Sequence, residues 1–180
     1  MVKLGAVCGR FQIFHSDHLR YVLAAAERCE HLIVGITSPD VSVSPAEAAD
    51  ANRGRAEANP CTYYERMKMV EAALLEAGLL RDKFDIVPFP IGKIELLPSY
   101  LPRKARIFVT ILDKWGHEKT QRMRDHGYEV EVLWERTDKF ISSSMLRERI
   151  VKGEEWQEFV PAASYRFILE NGIDKRIKGE

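Results

Sequence analysis

The stretch GRFQIFHSDH, residues 9–18, gathers groups capable of chemistry into ten positions. His15 and His18 lie three residues apart, and Arg10 supplies a fixed cation just upstream. An apolar run, Leu4 to Cys8, precedes the stretch, and helical spacing of Leu19, Val22, Leu23 and Ala26 follows it. The stretch therefore sits in a strand-to-helix turn. A helix N-terminus presents unpaired N–H groups and partial positive charge, which favour an anion. Protonating a histidine there meets repulsion, and a bound polyphosphate reverses the sign of that energy. The plainer reading makes His15 and His18 surface or capping histidines. A zinc pair at this spacing lacks a nearby cysteine or acid cluster to complete it.

A second stretch, ISSSMLRERI at 141–150, places Ser142, Ser143 and Ser144 before a short helix, with Arg147 in or just past its first turn. Serines alone are ordinary helix caps. An arginine beside them opposes the helix dipole, and the combination suits a second anion cradle.

Alternating elements must position these stretches. Strands are expected at Leu4–Cys8, Leu32–Ile36, Asp85–Pro88, Arg106–Leu112 and Glu129–Trp134. Helices are expected over Asp17–Arg28, over Thr62–Ala77 with a stripe of Met67, Val70, Ala73, Leu74 and Ala77, and over Trp115–Asp125. Met67 and Met69 then fall on the core and surface sides of one helix. Beyond Ser143 the chain reads as wholly helical: Ser143–Val151, Trp156–Phe159 and Ala162–Leu169. The pattern implies an α/β fold, a doubly wound Rossmann-like parallel sheet of about five strands with a helical C-terminal segment. Ligands bind at the carboxyl ends of such strands, which puts Gly9–His18 at the mouth of the site. Residues 38–60 form a long polar loop, a candidate lid. One domain is expected over 1–170, followed by a polar tail, 171–180, whose charged end from Asp174 reads as frayed and solvated.

The 180 residues carry 27 Lys plus Arg against 27 Asp plus Glu, so no net field favours nucleic acid or an anionic membrane. No apolar run approaches a membrane span, and the N-terminus lacks a signal-peptide pattern. Cys8, Cys29 and Cys61 are odd in number and widely spaced, as expected of reduced thiols in a cytoplasmic protein. A homo-oligomer is compatible with the sequence and not specified by it.

GRFQIFHSDH resembles the GRFQPFHxGH stretch of the HxGH nucleotidyltransferases, and ISSSMLR resembles their ISSTxxR stretch. Order and spacing fit as well. The resemblance is to the nicotinamide mononucleotide adenylyltransferase branch and its relatives, the cytidylyltransferases that activate small phosphonates. It implies that an acceptor phosphate or phosphonate oxygen attacks the α-phosphorus of a nucleoside triphosphate and releases pyrophosphate. On that resemblance His15 and His18 hold the triphosphate and stabilise charge at the α-phosphate, and Arg10 steers the acceptor's anionic group. Ser142, Ser143 and Arg147 bind the β and γ groups, with Ser144, Gly9 and Phe11 in the same nucleotide-binding set. Mg²⁺ bridging phosphate oxygens is expected. Two positions depart from the family pattern. Asp17 replaces glycine, either as a helix cap or as a contact with metal or acceptor. Ile13 replaces proline.

In TILDKWG, residues 110–116, Asp113, Lys114 and Trp115 can contact base or ribose, or form a helix cap with a packing tryptophan. Lys93, Arg53 and Arg55 are loop cations that either clamp substrate or are merely solvated. Trp134 and Trp156 are expected to pack, and Glu154 and Glu155 to begin a polar helical turn. FPIGKIELLPSYLP offers Tyr100 but no tryptophan to stack on nicotinamide, and with TILDKWG and VLWER it resembles the phosphonate-activating enzymes, such as those acting on phosphonoformate. CTP and a small anionic phosphonate are therefore the first expectation. ATP and a mononucleotide acceptor are the second. A third reading makes Asp17 disabling and the protein a nucleotide-binding sensor.

Overall fold

The computed structural model describes residues 1–38, 56–136 and 140–180. Its contacts sort into two compact units. Most of the expected lid segment, with Arg53 and Arg55, lies outside the described residues.

The first unit comprises Met1–Arg10, Arg20–Pro39 and Leu80–Lys139. It holds one five-stranded sheet: β1 (Val2–Gly9), β2 (Cys29–Thr37), β3 (Phe84–Phe89), β4 (Arg106–Ile111) and β5 (Glu129–Glu135). The order is β3-β2-β1-β4-β5, with every pairing parallel. This is the Rossmann-like arrangement that the alternating pattern implies. Strand order reverses beside β1, so the carboxyl end of β1 lies at the switch point where such sheets bind ligands. Pro88 is tolerated because β3 is an edge strand. Gly5 in β1 is required by close approach, since a Cβ there would meet Cys29 Sγ at 2.7 Å. The core includes Ala6, Ile33, Phe89, Leu97, Ile107 and Val109.

Helix α1 (Ser16–Ala26) buries Tyr21, Val22 and Ala25 rather than the expected Leu19, Leu23 and Ala26. The physical reason is the Tyr21 hydroxyl. It donates to the Phe108 carbonyl of β4 at 2.6 Å and accepts the Cys8 N–H of β1 at 3.3 Å. One phenol thus pins the helix to both strands at the switch point, and burial raises its pKa well above the ordinary value. Short 3₁₀ turns follow β3 over Ile91–Ser99, where the exposed Lys93 marks a kink. Helix α3 (Lys114–Asp125) lies between β4 and β5 in sequence.

The second unit comprises Phe11–Leu19, Asp40–Leu79 and Phe140–Glu180. Helix α2 (Tyr63–Glu76) opens with a capping box in which the Thr62 hydroxyl accepts the Glu65 N–H and Glu65 accepts the Thr62 N–H. Its buried face is Arg66, Met69, Val70, Ala73 and Leu74. Met69, not Met67, is therefore the core methionine, and Ala77 is exposed. Helices α4 (Ser143–Lys152) and α5 (Ala162–Glu170) match expectation. Trp156 is buried against Tyr165, with ring centroids 4.7 Å apart. Glu154 and Glu155 lie in the link after α4 instead of in a helical turn.

The chain end corrects the reading of a frayed tail. Ile173–Lys178 forms a further helix, α6, whose Ile173 is fully buried. Arg176 donates to the Pro60 carbonyl at 2.8 Å and forks onto both oxygens of Glu65 at 2.9 Å. A charged segment reads as solvated when its partners lie more than a hundred residues away in the chain. Among the described residues no helix is long and apolar enough to cross a membrane, and all three cysteines are buried and free of disulfides.

Candidate active site

Within the second unit, the part of the first stretch from Phe11 to His18 meets the serine-rich stretch. Ser143 Oγ donates to the Ile13 carbonyl at 3.1 Å, and Arg147 Nη1 donates to the Gln12 carbonyl at 2.7 Å. These bonds join residues 130 and 135 positions apart and lock the start of α4 onto the turn that carries the imidazoles.

The histidine spacing has a specific structural meaning. His15 immediately precedes α1, and its carbonyl accepts the Leu19 N–H at 3.0 Å, as a helix N-cap does. His15 Nδ1 accepts the His18 N–H at 3.4 Å, and His18 Nδ1 accepts the His15 N–H at the same distance. This is a capping box built from two histidines, and it needs a separation of three residues. The rings stack 3.5 Å apart at 17°. Because each Nδ1 is an acceptor, the neutral rings carry their proton on Nε2. Capping and chemistry are thus compatible: Nδ1 serves the helix, and Nε2 carries the proton.

Phe11 and Phe14 support the pair. Phe11 packs edge-on against His18 at 5.0 Å, and Phe14 stacks on it at 5.7 Å. The Phe11 side chain is fully buried, and its place in the turn is to brace an imidazole. Its φ of +52° is the left-handed region, costly for a bulky residue and held only by its surroundings. Asp17 lies inside the first turn of α1 and not at the cap, a place where a carboxylate suits the helix dipole.

The serines divide their work. Ser142 Oγ caps α4 by accepting the Met145 N–H at 3.2 Å, Ser143 ties to Ile13, and Ser144 Oγ accepts from Arg147 Nη2 at 3.2 Å. The N–H groups of Ser143 and Ser144 stand in the first turn of α4, where the helix itself offers no acceptor. Arg147 is half-buried at that same positive end, and burial draws its pKa below the ordinary guanidinium value while the nearby Cys61 opposes the shift. Cys61 itself is pushed up to about 12, chiefly by burial, so it remains a thiol.

The remaining expected residues belong to the sheet unit. Gly9 closes β1, paired with Ile36, and Arg10 follows it. Asp113 caps α3, its Oδ1 accepting the Gly116 N–H at 2.9 Å. Trp115 is half-buried beneath the Arg122 guanidinium, 5.7 Å from the ring centroid. Trp134 lies within 6 Å of two guanidiniums, with Arg20 at 5.5 Å and Arg136 at 5.8 Å from its ring centroid. Tyr21 and Gln12 escaped the sequence reading. A tyrosine in a helix and an amide in a loop carry no periodic signal.

Among the described residues no three His, Cys, Asp or Glu side chains gather to hold a metal ion. Asp17, in the first turn of α1, supplies one carboxylate beside the histidines, a donor that fits a divalent cation shared with a ligand's phosphate oxygens.

Residues 6–149 match the family described as cytidylyltransferase-like. The chain is 48% identical over 174 residues to a phosphonoformate cytidylyltransferase of Streptomyces viridochromogenes, covering 97% of this chain and 95% of that one. It is 32% identical over 180 residues to a nicotinamide-nucleotide adenylyltransferase of Thermococcus kodakarensis, covering 99% and 88%. Its fold superposes with a TM-score of 0.70, at 16% identity, on a bifunctional NMN adenylyltransferase/ADP ribose pyrophosphatase from Francisella tularensis. That superposition covers 99% of this chain and 53% of the larger protein, so the chain spans about half its length.

Proposed function

The chain belongs to the cytidylyltransferase-like family, and from that footing we propose that it transfers CMP from CTP to the phosphonate oxygen of a small anionic acceptor. The acceptor oxygen forms a bond to the α-phosphorus, the bond from that phosphorus to the bridging α–β oxygen breaks, and pyrophosphate leaves with the electron pair. The observation that carries this reading is the reciprocal His15–His18 box locked to the first turn of α4.

Such a reaction needs positioned charge more than covalent help from the protein. His15 and His18 offer their Nε2–H donors to the α-phosphate as negative charge builds on it. Arg147 and the first-turn N–H groups of Ser143 and Ser144 hold the β and γ groups, and so stabilise the departing pyrophosphate. Phe11 and Phe14 keep the imidazoles from swinging. Arg10 is kept for the acceptor's anionic group on the resemblance of its motif. Mg²⁺ is the divalent cation of this reading, held by the triphosphate with Asp17 as the neighbouring carboxylate, and it neutralises phosphate charge when bound.

The 48% identity to a phosphonoformate cytidylyltransferase supports CTP and a phosphonate over ATP and a mononucleotide, where identity to the Thermococcus enzyme is 32%. The test is pyrophosphate release from each common nucleoside triphosphate with Mg²⁺, offered phosphonoformate or nicotinamide mononucleotide. CTP with the phosphonate is expected to turn over fastest. Faster turnover with ATP and the mononucleotide would move the assignment to NAD synthesis. Nucleotide binding without any product would support the sensor reading instead.

A further inference from the structure

Gln12 sits inside the histidine turn, is only 2% exposed, and is given no step in the transfer described above. Its amide is spent on a single partner 49 residues away. Nε2 donates to the Cys61 carbonyl at 3.0 Å, and Oε1 accepts the Cys61 N–H at 3.0 Å. The side chain thereby behaves like a strand neighbour, satisfying both polar groups of one buried peptide residue. From the other side, α4 holds the backbone of the same turn through the carbonyls of Gln12 and Ile13.

Cys61 is itself fixed from further along the chain. Its neighbour Pro60 receives Arg176 of α6, and Thr62 joins the box with Glu65, whose two carboxylate oxygens are also taken by Arg176. A continuous path of hydrogen bonds and peptide links therefore runs from α6 through Arg176, Pro60, Cys61 and Gln12 to the imidazoles. The turn needs such restraint, because Phe11 holds a left-handed φ that the backbone would leave if released.

We propose that Gln12 is a positioning residue for nucleotidyl transfer and that Arg176 acts through it. Together they set the register between the histidine capping box and the first turn of α4. Helix α6 thus belongs to the catalytic apparatus without touching substrate. This rests on the transfer reading above, and the measurements below separate the two. A displacement near 1 Å in such a site is worth about 10²-fold in rate.

The experiment compares Gln12→Met, which keeps length and loses the amide, with Arg176→Ala and with Arg166→Ala. The last breaks the exposed Arg166–Glu76 pair elsewhere in the same unit and serves as the control for lost stability. Gln12→Met is expected to lower kcat by about 10- to 100-fold with KM for the triphosphate nearly unchanged. Arg176→Ala is expected to lower kcat in the same pattern by a smaller factor, and the double variant to add little beyond Gln12→Met, because both act on one path. Arg166→Ala should keep kcat whatever its melting temperature.

The second readout needs no turnover: nitrogen-15 spectra of the imidazoles. Both rings should report the Nε2–H tautomer in the wild type and in Arg166→Ala, and tautomer averaging in Gln12→Met. Wild-type kcat and unaltered imidazole spectra in Gln12→Met would overturn the proposal, as would losses matched by Arg166→Ala. If Gln12→Met does not fold, Arg176→Ala decides by the same two readouts. If the wild type turns over no substrate pair, the transfer reading fails, and the spectra alone judge whether Gln12 and Arg176 hold the imidazoles.

Discussion

Replacing His18 with asparagine is expected to lower turnover by about 10²- to 10³-fold while leaving the protein folded. The substitution is chosen to separate two jobs of one side chain. Asparagine Oδ1 occupies roughly the place of imidazole Nδ1, so the acceptor for the His15 N–H survives and the helix start keeps its box. The Nε2–H donor disappears. Alanine at the same position removes both, and should cost roughly 1 kcal/mol of stability as well. Pyrophosphate release and denaturant unfolding, measured on both variants, give the comparison. Should asparagine turn over nearly as fast as the wild type, His18 serves the helix alone and the proposed chemistry at its Nε2 is wrong.

Arg147→Ala is expected to lower kcat/KM for the triphosphate by a similar factor, about 10²- to 10³-fold, through loss of charge opposite the leaving group. Here stability falls too, because the alanine leaves the Gln12 carbonyl without its donor, a loss of about 1–3 kcal/mol if no water replaces it. Arg147→Lys discriminates charge from geometry. Lysine restores a cation but not the fork that reaches Gln12 and Ser144 together. It should recover only part of the rate. Full recovery would mean that charge alone suffices and that the bond to the histidine turn has no part in catalysis.

The sheet was legible because its strands are short apolar runs between turns, and five such runs became β1 to β5 with ends shifted by at most three residues. The candidate site stood out through its residue types, histidines and arginines gathered at the carboxyl end of a first strand. What escaped was whatever depended on a partner distant in sequence. Tyr21 turned the buried face of α1 because carbonyl and amide groups of two strands awaited its hydroxyl. Arg176 ordered a segment whose composition resembles a loose end. Met69 displaced Met67 from the core because the buried face of α2 also takes in Arg66, which no apolar stripe would include. Gln12 makes the same point at smaller scale, for nothing local distinguishes a buried amide from a solvated one.

The histidine box also bears on how this protein meets transition metals. Two histidines at a separation of three on a helix are a familiar chelating pair, and a nickel or zinc ion would ordinarily be welcome there. In this turn both Nδ1 lone pairs already receive peptide N–H groups, and each neutral Nε2 bears a hydrogen in place of a lone pair. Coordination would demand that a ring change tautomer and uncap its own helix. The untagged protein should therefore pass through an immobilised-nickel column with little retention, and EDTA should leave its melting temperature where it was.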